Sequence, residues 1–142
     1  MKTFEEQKKY IFENGKSYIP SIFPFELRDK LGDIGMCFDV SILAALGSKY
    51  RYVEGIAHIK GTGQYFLHAW ITDGIHAFDP TWKSELIILG KKFTIPGTRG
   101  IEYFGIELDK IKVAYFMSET KYVSVIANGW RAPESAKQIL PK

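Results

Sequence analysis

The stretch His68-Ala69-Trp70-Ile71-Thr72-Asp73-Gly74-Ile75-His76-Ala77-Phe78-Asp79 constrains this chain more than any other part of it. Asp73-Gly74 separates two alternating runs, and such a pair favours a two-residue hairpin turn because both central positions need positive φ. A register centred on that turn pairs Thr72 with Ile75, Trp70 with Ala77 and His68 with Asp79. Directly opposed residues share a face with Cβ atoms roughly 4.5–5.5 Å apart, so this imidazole and carboxylate come within hydrogen-bonding reach. The same register puts His76 opposite Ile71, on the other face.

An imidazole held by a carboxylate is a positioned base, and the chain has a single cysteine, Cys37, to serve as its nucleophile. Cys37 opens the apolar run Cys37–Leu46, which reads as a buried helix closed by Gly47. Free N–H groups and the helix dipole favour an anion at that end, and a neighbouring imidazolium favours the thiolate further. The Cys37 N–H would be one oxyanion donor, with Gln64, Tyr18 and Trp70 as candidates for a second. Against this, a lone cysteine in an apolar helix commonly serves as a small hydrophobe. An aspartate before a proline can likewise start a turn.

Elsewhere, Phe4, Lys8, Ile11 and Phe12 form a helical stripe stopped at Asn14-Gly15, and a short helix is expected from Phe23-Pro24 to Leu31. Strands are expected over Tyr50–Lys60, Gln64–Thr72, Ile75–Asp79, Leu86–Leu89 and Tyr103–Ile106, with a surface loop over Gly90–Arg99. Leu108, Ile111 and Tyr115 suit a helix, although Lys112–Met117 equally suits a strand. Tyr122–Ile126 reads as a last strand and Pro133–Leu140 as a terminal helix. Helices first and strands after them indicate an α+β fold, with N-terminal helices packed on an antiparallel β-sheet.

The 142 residues are expected to form one domain, 1–142. With 46% hydrophobic and 15% aromatic residues the chain is expected to be ordered. A net charge of +3 spread over scattered lysines gives no stripe for a phosphate backbone, so no nucleic-acid partner is expected. One cysteine forms no internal disulfide, the charged N-terminus lacks a leader's apolar region, and no apolar run nears the ~20 residues that span a bilayer. These point to the cytoplasm and to no membrane partner. No histidine or cysteine spacing matches a familiar metal site, and the Gly61-Thr62-Gly63 run lacks the lysine of a phosphate loop, so neither metal nor cofactor is expected.

Gly35-Met36-Cys37, Tyr52–Ala57, His68-Ala69-Trp70, Phe78-Asp79-Pro80-Thr81-Trp82 and Tyr103-Phe104-Gly105-Ile106 together resemble the transglutaminase-like superfamily of papain-like cysteine enzymes, in its small bacterial and phage-type members. The resemblance covers about residues 35–106. It implies a papain-like core with Cys37 as nucleophile, His68 as general base and acid, and Asp79 as orienting carboxylate. Trp70 and Trp82 would be framework or cleft-wall aromatics, with Gln64 a further substrate-binding candidate.

The expected activity is thiol-dependent acyl transfer or hydrolysis at a protein or peptide amide, through a thioester. The alternative is a non-catalytic binding protein on the same fold, a phage or mobile-element accessory that binds a host protein or small ligand. A third possibility is an assembly subunit presenting Tyr50, Tyr52 and Tyr65. The oligomeric state is open.

Overall fold

The structure, a computed structural model, describes residues 3–33, 35–96 and 100–128, with the backbone alone at 83–86 and 93–96. Helix α1 (Phe4–Asn14) follows the expected stripe and buries Ile11 completely. Thr3 caps it: its Oγ1 accepts the Glu6 N–H at 3.1 Å, which satisfies one of the first turn's orphan donors. A 3₁₀ segment, Phe25–Lys30, precedes α2 (Cys37–Leu46), whose Ile42, Ala44 and Ala45 are buried.

The strands are β1 (Lys16–Ser21), β2 (Arg51–Ile59), β3 (Tyr65–Thr72), β4 (His76–Phe78), β5 (Lys83–Ile88), β6 (Lys91–Pro96) and β7 (Ile101–Leu108). Five of them close into a barrel in the order β1-β4-β3-β2-β7, because β1 pairs in parallel with β4 and antiparallel with β7. β5 and β6 form a separate two-stranded sheet. Helices α3 (Lys110–Thr120) and α4 (Val125–Asn128) follow the last strand. The Lys110 ammonium donates to the carbonyls of Ala45, Ser48 and Tyr50 at 2.7, 2.8 and 2.9 Å, so α3 closes the C-terminal end of α2.

Strand alternation divides the core in two. Tyr52, Ile56, Ala69, Ile71, Ile106 and Leu108 face outward and pack with Ile11, Ile42, Val113 and Phe116 of the helices. Tyr18, Val53, Ala57, Trp70, Ala77, Ile101 and Tyr103 form the second cluster, which fills the barrel. Trp70 meets Tyr103 edge-on at 4.9 Å and Tyr18 at 5.8 Å. Small barrels are filled by their own side chains in this way.

Several expectations are corrected here. The open antiparallel sheet of a papain-like or transglutaminase-like core is absent; helices surround a closed barrel that contains a parallel pair. The strand that closes it, β1, was not expected. Residues Lys91–Pro96, expected in a loop, pair with β5, and the expected strand Tyr122–Ile126 contains the start of helix α4. The β3–β4 register is shifted by two: Ile71 pairs with Phe78 and Thr72 with Ala77. Side chains cause the shift. Thr72 Oγ1 accepts the Gly74 N–H and Asp73 Oδ1 accepts those of Ile75 and His76, which makes a loop longer than two residues. The expected helix Pro133–Leu140 lies outside the described residues. Among the described residues no helix is long and apolar enough to cross a membrane.

Candidate functional site

His68 stands on β3, on the barrel-facing side with Trp70, and Asp79 follows β4. They are no longer directly opposed, but a shift of two residues keeps both on one face. His68 Nε2 lies 2.6 Å from Asp79 Oδ2. The Tyr103 hydroxyl, from β7, donates to the same oxygen at 2.7 Å. The other oxygen, Oδ1, accepts from the N–H and hydroxyl of Thr81 and from the N–H of Trp82. The carboxylate therefore ties β3, β7 and the turn after β4 together. All three members are buried, His68 at 3%, Asp79 at 0% and Tyr103 at 2% exposure.

Burial pushes the His68 pKa down, but the Asp79 charge and hydrogen bond, with smaller help from Cys37, outweigh it and raise the pKa to about 9. Asp79 shows the mirror effect: burial pushes its carboxyl up, while His68, Tyr103 and Thr81 hold it below the usual carboxylate range. Each member of the pair thus favours the charged form of the other. Trp82 lies over the imidazole with ring centroids 4.4 Å apart, and Phe66 meets Trp82 edge-on at 5.8 Å.

The thiol mechanism is corrected by this geometry. No Cys37–His68–Asp79 triad is assembled: His68 and Asp79 close on each other and on Tyr103 without the sulfur. Cys37 is buried, 6% exposed, and acts on the ring only as a contributor secondary to Asp79. A thioester enzyme needs a sulfur that its substrate can reach. Acyl transfer or amide hydrolysis through Cys37 is therefore withdrawn, as is a binding protein on a papain-like fold.

Of the remaining candidates, Trp70 is fully buried inside the barrel, Trp82 is half-buried beside His68, and Gln64 is exposed in the β2–β3 turn. Trp70 Nε1 and Ser41 Oγ, one helical turn after Cys37, are buried polar atoms with no hydrogen-bond partner among the described residues. Tyr50 and Tyr52 are buried, so they do not present the interface considered for an assembly subunit. His76 bonds Asp73 at an exposed position.

Sequence reasoning missed two polar centres. Glu54, fully buried on the outer face of β2, accepts from Tyr52 OH, Ser124 Oγ and the N–H groups of Val125 and Ile126. Burial raises its pKa against those four donors. His58 is bonded to two acceptors, Glu102 Oε1 at 2.8 Å and the Thr62 carbonyl at 2.7 Å, which fixes it as an imidazolium stacked on Tyr65. A glutamate and a histidine within the alternating stretch 51–59 were the available signals. Clefts of about 490 Å³, beside Lys49, Arg51 and Glu107, and about 270 Å³, beside Phe12, His58, Tyr65, Tyr103 and Phe104, do not have His68 in their lining.

Among the described residues no group of three or more histidine, cysteine, aspartate or glutamate side chains is placed to hold a metal ion. Comparison with models of protein families, with curated proteins and with solved structures found no match. The resemblance to the transglutaminase-like superfamily thus rests on short motifs alone, and the closed barrel contradicts it.

Proposed function

We propose that residues 1–142 act as one ligand-binding domain in which buried His68 is the recognition group for a carboxylate or carbonyl oxygen, such as one on a protein or peptide chain. One observation carries this reading. The Asp79 carboxylate takes Nε2 and favours the charged ring, while the further side-chain hydrogen bond acting on His68 is that of Cys37. The sulfur of Cys37 is a weak acceptor and does not replace an oxygen. A charged donor in a dry site binds an oxygen more strongly than the same donor in water.

Asp79 and Tyr103 keep the ring charged and oriented, while Cys37 and Trp82 bound its surroundings. Trp82 is the side chain that moves to admit the ligand. It is half-buried, and its hydrogen bond to Asp79 comes from its backbone, so the indole can swing without breaking the network.

The test is a titration of ¹⁵N-labelled protein with acetate and with N-methylacetamide, read at the His68 ring. The expected result is a saturable Nδ1 shift in the wild type, faster to equilibrate in Trp82→Ala. Absence of any shift in both proteins contradicts the reading.

A further inference from the structure

The Gly61-Thr62-Gly63 run, which lacks the lysine of a phosphate loop, lies in the turn between β2 and β3. Packing does not hold this turn. Gly61 has a φ of 78°, and beyond the chain neighbours a Cβ on Gly61 or Gly63 would meet no described atom within 4 Å. Hydrogen bonds hold it instead. The Lys60 N–H ties its start to the Gly100 carbonyl at 2.9 Å. The Thr62 hydroxyl donates to the Ile59 carbonyl and accepts the Gln64 N–H, both inside the turn. Among the described residues, the apex is joined to the barrel through the Thr62 carbonyl, which lies 2.7 Å from His58 Nε2.

His58 also reaches across to β7, where its Nδ1 lies 2.8 Å from Glu102 Oε1. A carbonyl and a carboxylate only accept, so both ring nitrogens must carry protons to make both bonds. A neutral ring has one N–H and keeps one of them. The bond to the charged carboxylate is the stronger, so the remaining proton stays on Nδ1. The lone pair of Nε2 then faces the Thr62 carbonyl, and the turn loses its tie. The ring is 19% exposed, so water delivers and removes the proton. The surrounding charges set where this happens. The Thr62 carbonyl and then Glu102 raise the His58 pKa above its ordinary value, against a smaller opposing effect of burial. On α1, the Lys8 ammonium lies 4.8 Å over the Tyr65 ring on which His58 stacks, and it pairs with Glu5 at 3.4 Å.

We infer that His58 is a proton-operated latch, which fastens the β2–β3 turn to β7 while the ring is charged and releases it when the ring becomes neutral. His58 and Tyr65 also line the cleft of about 270 Å³ beside Phe12 and Phe104, so the same proton sets the wall of that cleft. This inference is independent of the reading of His68.

The experiment is NMR of the ¹⁵N-labelled full chain across the His58 titration, with ring nitrogen shifts and backbone order parameters read together. The expected neutral ring carries its proton on Nδ1. The order parameters of the Gly61, Thr62 and Gly63 amides are expected at about 0.85 with the ring charged and below about 0.6 with it neutral. Tyr65 ring shifts follow the same midpoint. His58→Phe keeps a ring for Tyr65 but removes both donors, and its turn is expected to be mobile at every pH. Glu102→Gln removes the charge that favours the imidazolium, so the His58 midpoint and the release of the turn are expected to move together to lower pH. A turn equally rigid on both sides of the midpoint overturns the inference. So does a neutral ring with its proton on Nε2, or a release that stays at the wild-type pH in Glu102→Gln while the His58 midpoint moves.

Discussion

Gly55 lies directly opposite Gly105 across β2 and β7, and neither position has room for a side chain. A Cβ on Gly55 would sit 2.2 Å from the Phe104 carbonyl oxygen and 2.4 Å from Gly105 Cα. One on Gly105 would meet Val53 at 2.7 Å and the Trp70 ring at 2.9 Å. The paired glycines leave the space that Trp70 fills inside the barrel. Gly55→Ala is therefore expected to push backbone from backbone and to destabilise the protein by about 3 kcal/mol, at the upper end of overpacking costs. Urea denaturation checks this; a loss below about 0.5 kcal/mol would show that the strands separate more easily than their packing implies.

The His68–Asp79 pair makes stability depend on pH with a definite sign. The folded ring holds its proton up to about 9, whereas an unfolded histidine releases it near 6.5. The folded state binds more protons between those values, so this contribution is complete below about 6.5 and is lost as pH rises through about 9. Its size is at most roughly 3 kcal/mol. Asp79 acts at the acid end: its lowered pKa gives stability that is present above about 4 and is lost as pH falls through the folded value. Asp79→Asn is expected to cost roughly 3–5 kcal/mol at neutral pH, because it leaves the ring buried without its counter-charge. It is also expected to flatten the alkaline limb. Denaturation curves of both proteins at neutral and alkaline pH provide the measurement.

Glu54 is a second buried carboxyl, and burial raises its pKa where that of Asp79 is lowered. Its carboxyl receives four donors, two of them the N–H groups of Val125 and Ile126 at the first turn of α4. Glu54→Gln is expected to leave two of those donors without acceptors and to cost about 1–3 kcal/mol. The loss should appear first as faster hydrogen exchange at Val125 and Ile126. Unchanged exchange there would show that α4 is held by its apolar contacts alone.

The helices α1 and α2 and the strands β2 and β3 were legible because their signals are local: a 3.6-residue stripe, a closing glycine, an alternating run. The His68–Asp79 contact was also legible, although its register was not. A two-residue error preserves the face, so the right partners emerged from the wrong pairing. β1 was invisible because Lys-Ser-Tyr-Ile-Pro-Ser contains a proline and buries only Tyr18, and its pairing partners lie on β4 and β7, far along the chain. Without β1 the sheet reads as open, which made a papain-like core plausible. α4 was read as a strand because Val125 and Ile126 are β-branched, although Ser124 just before them caps the helix by accepting the Ala127 N–H, while Glu54 on β2 accepts those of Val125 and Ile126. The thiol failed for a related reason. Helix position suggests reactivity, but only packing decides whether a sulfur is sealed.

The most direct test of the account is a pH titration of the His68 ring nitrogens by NMR in the intact protein. A buried imidazolium held by Asp79 and Tyr103 predicts a midpoint near 9, with a hydrogen-bonded Nε2 proton that Asp79→Asn abolishes. A midpoint at or below the ordinary value of about 6.5 would mean that the ring is neutral in the fold, and would contradict both the charged pair and the recognition role built on it.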